Sequence, residues 1–170
     1  DNGNNTVLGY RINAASGLLT PIGTFAAGAS PFQAAVSSDG KFLFVTNSGQ
    51  GAVGGYSIGA GGVLTQSSLT TAGVNPYSIV TGPLGFLYTA DISVSNIQGF
   101  AITLVGLTPT PGTPYPAGGV FLSTLAIDPT GRVVFTSSLS DPLLSEFLVS
   151  PNGALVPVAG ALGGLGAGAV

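Results

Sequence analysis

Glycines and aromatic residues recur along this chain at a nearly constant interval. Gly28, Gly73 and Gly118 each follow an alanine and lie 45 residues apart. The turn glycines Gly40, Gly85 and Gly131 are spaced 45 and 46, and the aromatics Tyr10, Tyr56, Phe100 and Phe147 are spaced 46, 44 and 47. A period of roughly 40–45 residues carrying four short strands is the pattern of a β-propeller blade. The repeat therefore predicts an all-β chain: a propeller segment of about three and a half four-stranded, antiparallel blades.

The strands can be read from turn chemistry and alternation. In the second unit, Phe32 to Ser38 is an expected strand, Ser38-Asp39-Gly40-Lys41 its turn and Phe42 to Asn47 the partner strand. Asp-Gly between β-branched and aromatic runs is a strong hairpin signal. Ala52 to Ile58 and a strand opening at Val63-Leu64-Thr65 complete the unit. The third unit repeats this with Tyr77 to Thr81, Phe86 to Ala90, Ile97 to Ile102 and Leu107-Thr108-Pro109. The fourth has Leu122 to Ile127, Val133 to Thr136, Leu143 to Val149 and Ala154 to Pro157. Only Val7 to Ile12 and the run from Leu18 represent the first unit. Proline and glycine fall between the inner strands, as ladder pairing requires. The expected organisation is a single repeat domain: a half blade over 1–29, blades over 30–74, 75–119 and 120–161, and a Gly/Ala-rich tail over 162–170.

Counting nine residues back from each recurring aromatic gives Asp1, Asn47, Asp91 and Ser138, so both ends of the chain fall inside a blade. Propellers close with four to eight complete blades, and an unclosed ring exposes strand edges that recruit other strands. The expected partners are copies of this chain or the rest of a longer propeller. A Gly/Ala tail is floppy unless held, and a held tail would favour edge pairing.

Charged residues make up only 5% of the chain, against about 25% in a typical globular domain. With three basic and six acidic residues there is no cluster to neutralise phosphates, which argues against nucleic acid as a partner. A surface this poor in charge resists aggregation weakly. It suits either burial in an assembly or life outside the cell, and an extracellular or cell-surface location is expected. Cysteine is absent, so no disulfide framework exists. No stretch reaches the roughly 18 apolar residues of a membrane helix. Asn4-Asn5-Thr6 is a glycosylation sequon, making Asn4 a candidate for modification.

The units resemble the lactonase-type β-propeller family, which includes bacterial 6-phosphogluconolactonase and the repeats named for a Tyr-Val-Thr-Asn signature. The matching residues are Phe44-Val45-Thr46-Asn47, preceded by Ser38-Asp39-Gly40-Lys41-Phe42-Leu43. The next units depart to Tyr88-Thr89-Ala90-Asp91 and Phe135-Thr136-Ser137-Ser138. Gly106-Leu107-Thr108-Pro109 is a short form of the family's Gly-x-Leu-Thr-Pro element, and residues 112–119 resemble its inter-blade crossing. The resemblance implies seven blades in complete members and, for the enzymes, acidic, His and Arg side chains around a central channel.

Lactone hydrolysis needs a general base and oxyanion stabilisation. The chain has no His, and no motif places a family catalytic residue on any position. No catalytic residue, cofactor site or metal site is expected. Asp39, Asp128 and Asp141 read as turn residues, and Asp1 and Asp91 as turn caps equivalent to Asn47. Glu146 is the exception: it replaces the glycine that precedes the aromatic (Gly9, Gly55, Gly99) inside an expected strand, and is a candidate for an ion pair or a binding role. Arg11, Lys41 and Arg132 are scattered and form no anion site. The aromatics, at strand positions, are expected mainly in the core. The first functional expectation is an extracellular, non-enzymatic repeat protein with a structural or binding role, self-assembling through open blade edges into a ring or filament. The alternative is a fragment of a sugar-lactone hydrolase whose catalytic residues lie outside these residues.

Overall fold

A computed structural model describes residues 1–140 and 144–158. Its strands form four antiparallel sheets in chain order. The first has only two strands, β1 (Thr6–Ile12) and β2 (Leu19–Ala26). The second runs β3 (Pro31–Val36), β4 (Phe42–Asn47), β5 (Ala52–Ile58) and β6 (Leu64–Thr71). The third runs β7 (Pro76–Thr81), β8 (Phe86–Asp91), β9 (Asn96–Thr103) and β10 (Gly106–Pro109), with the short β11 (Tyr115–Pro116) also paired to β9. The fourth runs β12 (Leu122–Ile127), β13 (Val133–Ser138), β14 (Leu144–Val149) and β15 (Leu155–Pro157). Apart from β11, each strand pairs with its sequence neighbour within its sheet, the up-and-down order of a blade. The outer half of one blade and three further blades are thus present. The tail 162–170, Asp141 and Leu143 lie outside the described residues.

Strand alternation explains where the cores form. Side chains on opposite pleats of one sheet face opposite neighbours, so a blade flanked on both sides can bury both faces. Between the second and third blades pack Phe44, Val53, Ile79, Leu87 and Phe100. Between the third and fourth pack Tyr88, Ile97, Tyr115, Leu125, Val134 and Phe147. Tyr56, Phe100 and Phe147 are each almost fully buried, and Tyr56 donates from its hydroxyl to the Ala26 carbonyl of the preceding sheet at 3.1 Å. Tyr88 does the reverse, donating to the Gly153 carbonyl of the following blade at 2.8 Å. Burial, reinforced by Tyr115, pushes the Tyr88 phenol pKa well up, so it stays a hydrogen-bond donor. Tyr10, the corresponding aromatic of the first sheet, is 47% exposed. The core expectation for the aromatics holds for these three and fails for Tyr10, Phe32 and Phe121, which are about half exposed.

The strand register corrects one equivalence. Pro31 pairs with Asn47, Pro76 with Asp91 and Leu122 with Ser138. Three residues before each first partner stand Gly28, Gly73 and Gly119. Gly119, rather than Gly118, is therefore the blade-opening glycine of the fourth unit. The extra residue sits in the crossing between blades, where a sequence spacing of 45 absorbs it unnoticed.

Candidate functional site at the inner-strand ends

The innermost strands β3, β7 and β12 all break register at the same place. The break lies between Pro31 and Ala34, between Pro76 and Ser78, and between Leu122 and Thr124. A bulge leaves residues unpaired and re-aims their side chains, and bulges recur beside functional sites. The re-aimed positions are Phe32 with Gln33, Tyr77, and Ser123. Across the gap between two blades the rings of Phe32 and Tyr77 stack, with centroids 3.6 Å apart and planes inclined by 28°. Phe32 remains 48% exposed.

The backbone groups freed by the bulge are satisfied by side chains. The Gln33 N–H donates to the Thr46 hydroxyl oxygen at 3.0 Å, and that hydroxyl also lies 3.2 Å from the carbonyls of Gln33 and Tyr77. The Gln33 side-chain oxygen accepts from the Ile79 N–H at 2.8 Å, and the Ser78 hydroxyl accepts from the Leu125 N–H at 3.0 Å. Each blade so ties the first strand of the next. The backbone carrying the stacked pair is thus fixed by hydrogen bonds. Beside Phe32, along the unpaired edge of β1, runs a groove of about 380 Å³, lined by Asp1, Val7, Leu8, Phe32, Ala34 and Val45 among others.

The same end of the blades carries the recurring cap positions. Asp91 is fully buried and uses both carboxylate oxygens: one accepts from the N–H groups of Val74 (2.5 Å) and Asn75 (2.9 Å), the other from Ser93 (2.9 Å) and Val94 (3.2 Å). Its lone pairs are committed to the backbone, so it is a clamp and no general base. Asp1 accepts from Asn4 through both oxygens. The turn aspartates are at the opposite blade ends. Asp128 is held at a pKa of about 2, first by the Thr130 hydroxyl and then by the Val133 N–H. Asp39 is lowered by the Ser37 hydroxyl and then by the Lys41 N–H. Asp39 also makes the one ion pair among the described residues, to Lys41 at 3.4 Å. Glu146 lies half-buried in β14 opposite Phe135, away from the inner-strand ends. Asn4 is exposed in the turn before β1. No group of three or more His, Cys, Asp or Glu among the described residues is placed to hold a metal. No helix is long and apolar enough to cross a membrane.

Residues 1–83 match the family described as Lactonase, 7-bladed beta-propeller. Over that stretch the chain resembles lactonase-type propellers, and its fold is that of a β-propeller segment. It is similar to the solved structure of a candidate 6-phosphogluconolactonase from Bacteroides uniformis, with a TM-score of 0.82 and 18% identity over 94% of this chain and 49% of that one. It is also similar to the periplasmic gluconolactonase of Pseudomonas aeruginosa (TM-score 0.69, 20% identity, 89% of this chain and 47% of that one). A third likeness is to virginiamycin B lyase from Staphylococcus aureus (TM-score 0.59, 18% identity, 92% and 49%). No curated protein sequence matches the chain significantly. The chain spans about half the length of the solved structures it matches. At these identities the likeness is one of fold, and the same fold carries a lyase as well as lactonases, so the shape alone leaves the chemistry open.

The sequence reading missed the stacked Phe32–Tyr77 pair. The signal was present as Pro31-Phe32 and Pro76-Tyr77, two Pro-aromatic pairs spaced 45 residues apart. Proline lacks the N–H for a ladder bond, and its recurrence at the start of an inner strand marks where pairing breaks.

Proposed function

We propose that these residues form part of a sugar-lactone hydrolase of the lactonase-type propeller class. The observation that carries this reading is the family match over residues 1–83, because it rests on sequence rather than on shape. It favours the hydrolase alternative over a non-enzymatic structural role. Gluconolactonase and candidate 6-phosphogluconolactonase neighbours support the same substrate class. The periplasmic neighbour is consistent with a location outside the cytoplasm, which stays part of the proposal, as does glycosylation at Asn4 if the chain is secreted. Assembly through open edges has no support beyond the unpaired half blade.

Hydrolysis of a lactone requires a base to activate water and donors to hold the developing oxyanion. On this reading, the inner-strand ends supply the wall of the site and the blades beyond these residues supply the base. Asp91 is committed to four backbone donors, and Asp39 and Asp128 lie at the opposite blade ends, which supports that division. The test is hydrolysis of D-glucono-1,5-lactone and of its 6-phosphate, followed by proton release against the spontaneous rate. Residues 1–170 joined to the missing blades should hydrolyse one of them, while residues 1–170 alone should not. No hydrolysis of either by the joined protein would refute the proposal.

A further inference from the structure

We infer that the open face of the fourth blade is built to receive a further blade that sets a lysine or arginine beside Glu146, and that it refuses a second copy of this chain. The inference rests on the reading of these residues as part of a longer propeller, and adds what the next blade must carry. Each sheet has one position just before its recurring aromatic: Gly9, Gly55, Gly99 and Glu146. Successive residues of a strand point to opposite faces. Phe147 packs into the core shared with the third blade, so Glu146 belongs to the other face, where the next blade would stand. At the two boundaries that are covered, this position is enclosed. Gly55 and Gly99 are buried, and their register partners Phe44 and Tyr88 are 2% and 0% exposed. Tyr88 donates its hydroxyl to the Gly153 carbonyl of the blade laid over it. A Cβ at Gly55 would run into the Ser68 hydroxyl, and one at Gly99 into the Thr110 hydroxyl. In the fourth blade Val158 donates its N–H to the Glu146 carbonyl as Thr110 does to that of Gly99, and the glycine has become a glutamate.

The strands around Glu146 present apolar side chains to the same face. Phe135, its partner across the ladder, is half-buried, Ala126 is exposed, and Leu148 and Val156 are each 49% exposed. A carboxylate on such a face is tolerated in water and is costly to bury unless a cation meets it. The chain has three cations, and none of them stands on an open face. Arg11 lies toward Gly61 of the second blade, Lys41 pairs with Asp39, and Arg132 borders Leu84 and Phe86 of the third blade. The open side of the first sheet carries Leu8, Tyr10 and Ile12, with Tyr10 at the position from which Tyr56 reaches back to the preceding sheet. A second copy added in blade order would set these apolar side chains and one hydroxyl against Glu146. An inward-pointing charge on an otherwise apolar sheet guards against such pairing. The match has to come from outside residues 1–170, and the solved structures of this fold are about twice as long. A lysine or arginine on the following blade pairs with Glu146 and separates the right neighbour from the wrong one.

The test is thermal unfolding of Glu146→Gln and Glu146→Lys in two proteins: the 170-residue chain, and the longer protein with the blades that follow it. In the longer protein Glu146→Gln leaves the opposing cation unpaired and should lower Tm by roughly 5 °C. Glu146→Lys sets two cations together and should lower it further. In the 170-residue chain the face is open, so both substitutions should shift Tm by less than about 2 °C. Gln matches Glu in size, so a loss confined to the longer protein reports the missing charge and not altered packing. An unchanged Tm for Glu146→Gln in the longer protein overturns the inference, because a neutral donor over this position would bond the amide as well. Equal shifts in the two proteins also overturn it, since the charge would then act within its own blade. Sedimentation velocity at pH 7 tests the refusal of a copy. The wild-type 170-residue chain should not associate through this face, and a dimer that Leu148→Glu dissolves would overturn that part. Unfolding is read without substrate. A Glu146→Gln loss in a longer protein that hydrolyses neither lactone therefore sinks the hydrolase proposal alone, and hydrolysis without that loss sinks only the present inference.

Discussion

Blades two and three hold the same loop in two different ways. In the third, Asp91 ends the second strand and clamps four backbone N–H groups by itself. In the second, Asn47 stands at the equivalent place, is fully buried, and neither of its amide atoms finds a partner. The N–H groups corresponding to those of Val74 and Asn75 belong to Ala29 and Ser30. They are taken by the side chains of Gln50 (3.1 Å) and Asn5 (2.9 Å). In the fourth blade a serine hydroxyl, Ser138, receives the Val120 N–H at 3.1 Å. The fold fixes that the opening loop needs acceptors at this spot, and leaves open which residue provides them.

Removing the clamps measures that difference. Asp91→Ala strands four N–H groups that now bond a charged acceptor, and should cost about 3–5 kcal/mol in urea unfolding. Asn47→Ala removes no hydrogen bond and should cost less than half as much. Equal costs would show that position, rather than bonding, sets the loss. Next in size is Gly73→Ala. Gly73 has φ +113° and its added Cβ would fall on the Asp91 carboxylate, so a loss of about 2–3 kcal/mol is expected by thermal unfolding. Gly118→Ala meets nothing within 4 Å and bears only its φ of +65°, so it should lose about 1 kcal/mol. Gln50→Ala should cost about 1 kcal/mol in the native background. In an Asn47→Asp background that cost should shrink, because a carboxylate at 47 can accept from Ala29 as Asp91 does from Val74; an unchanged cost would deny that the two clamps are interchangeable.

The smallest effect concerns pH. Asp128 has a folded pKa of about 2 against an ordinary value of 3.8. A depressed carboxylate stabilises the fold above its unfolded pKa, and that contribution fades as pH falls toward the folded one. The stability gap between wild type and Asp128→Asn should therefore be constant above about pH 4.5 and close between about pH 4 and pH 2. A gap that persists at pH 2 would mean that the turn depends on shape and not on charge.

Much of the architecture was legible because it is periodic. Phe42–Asn47, Ala52–Ile58 and Leu122–Ile127 form strands over the residues that alternation and Asp-Gly chemistry mark out. What escaped was aperiodic or cooperative. The shift from Gly118 to Gly119 hides in a crossing where an insertion changes no hydrophobic pattern. Tyr10 shares its spacing with Tyr56, yet is half exposed because burial depends on what packs against a sheet, which its own residues do not encode. Phe32 and Tyr77 are 45 residues apart and meet only because two blades stand side by side. Glu146 was noticed because it breaks the glycine pattern, yet its place on β14 is far from the inner-strand ends where the aromatic pair sits.

The ties from Gln33 to Ile79 and from Ser78 to Leu125 run one way along the chain, each blade accepting from the blade that follows. The amides of Ile79 and Leu125 therefore exchange with solvent only when the preceding blade lets go. Their protection reports the neighbour's opening rather than their own. At these two amides, then, local exchange measures the hold of one blade on the next.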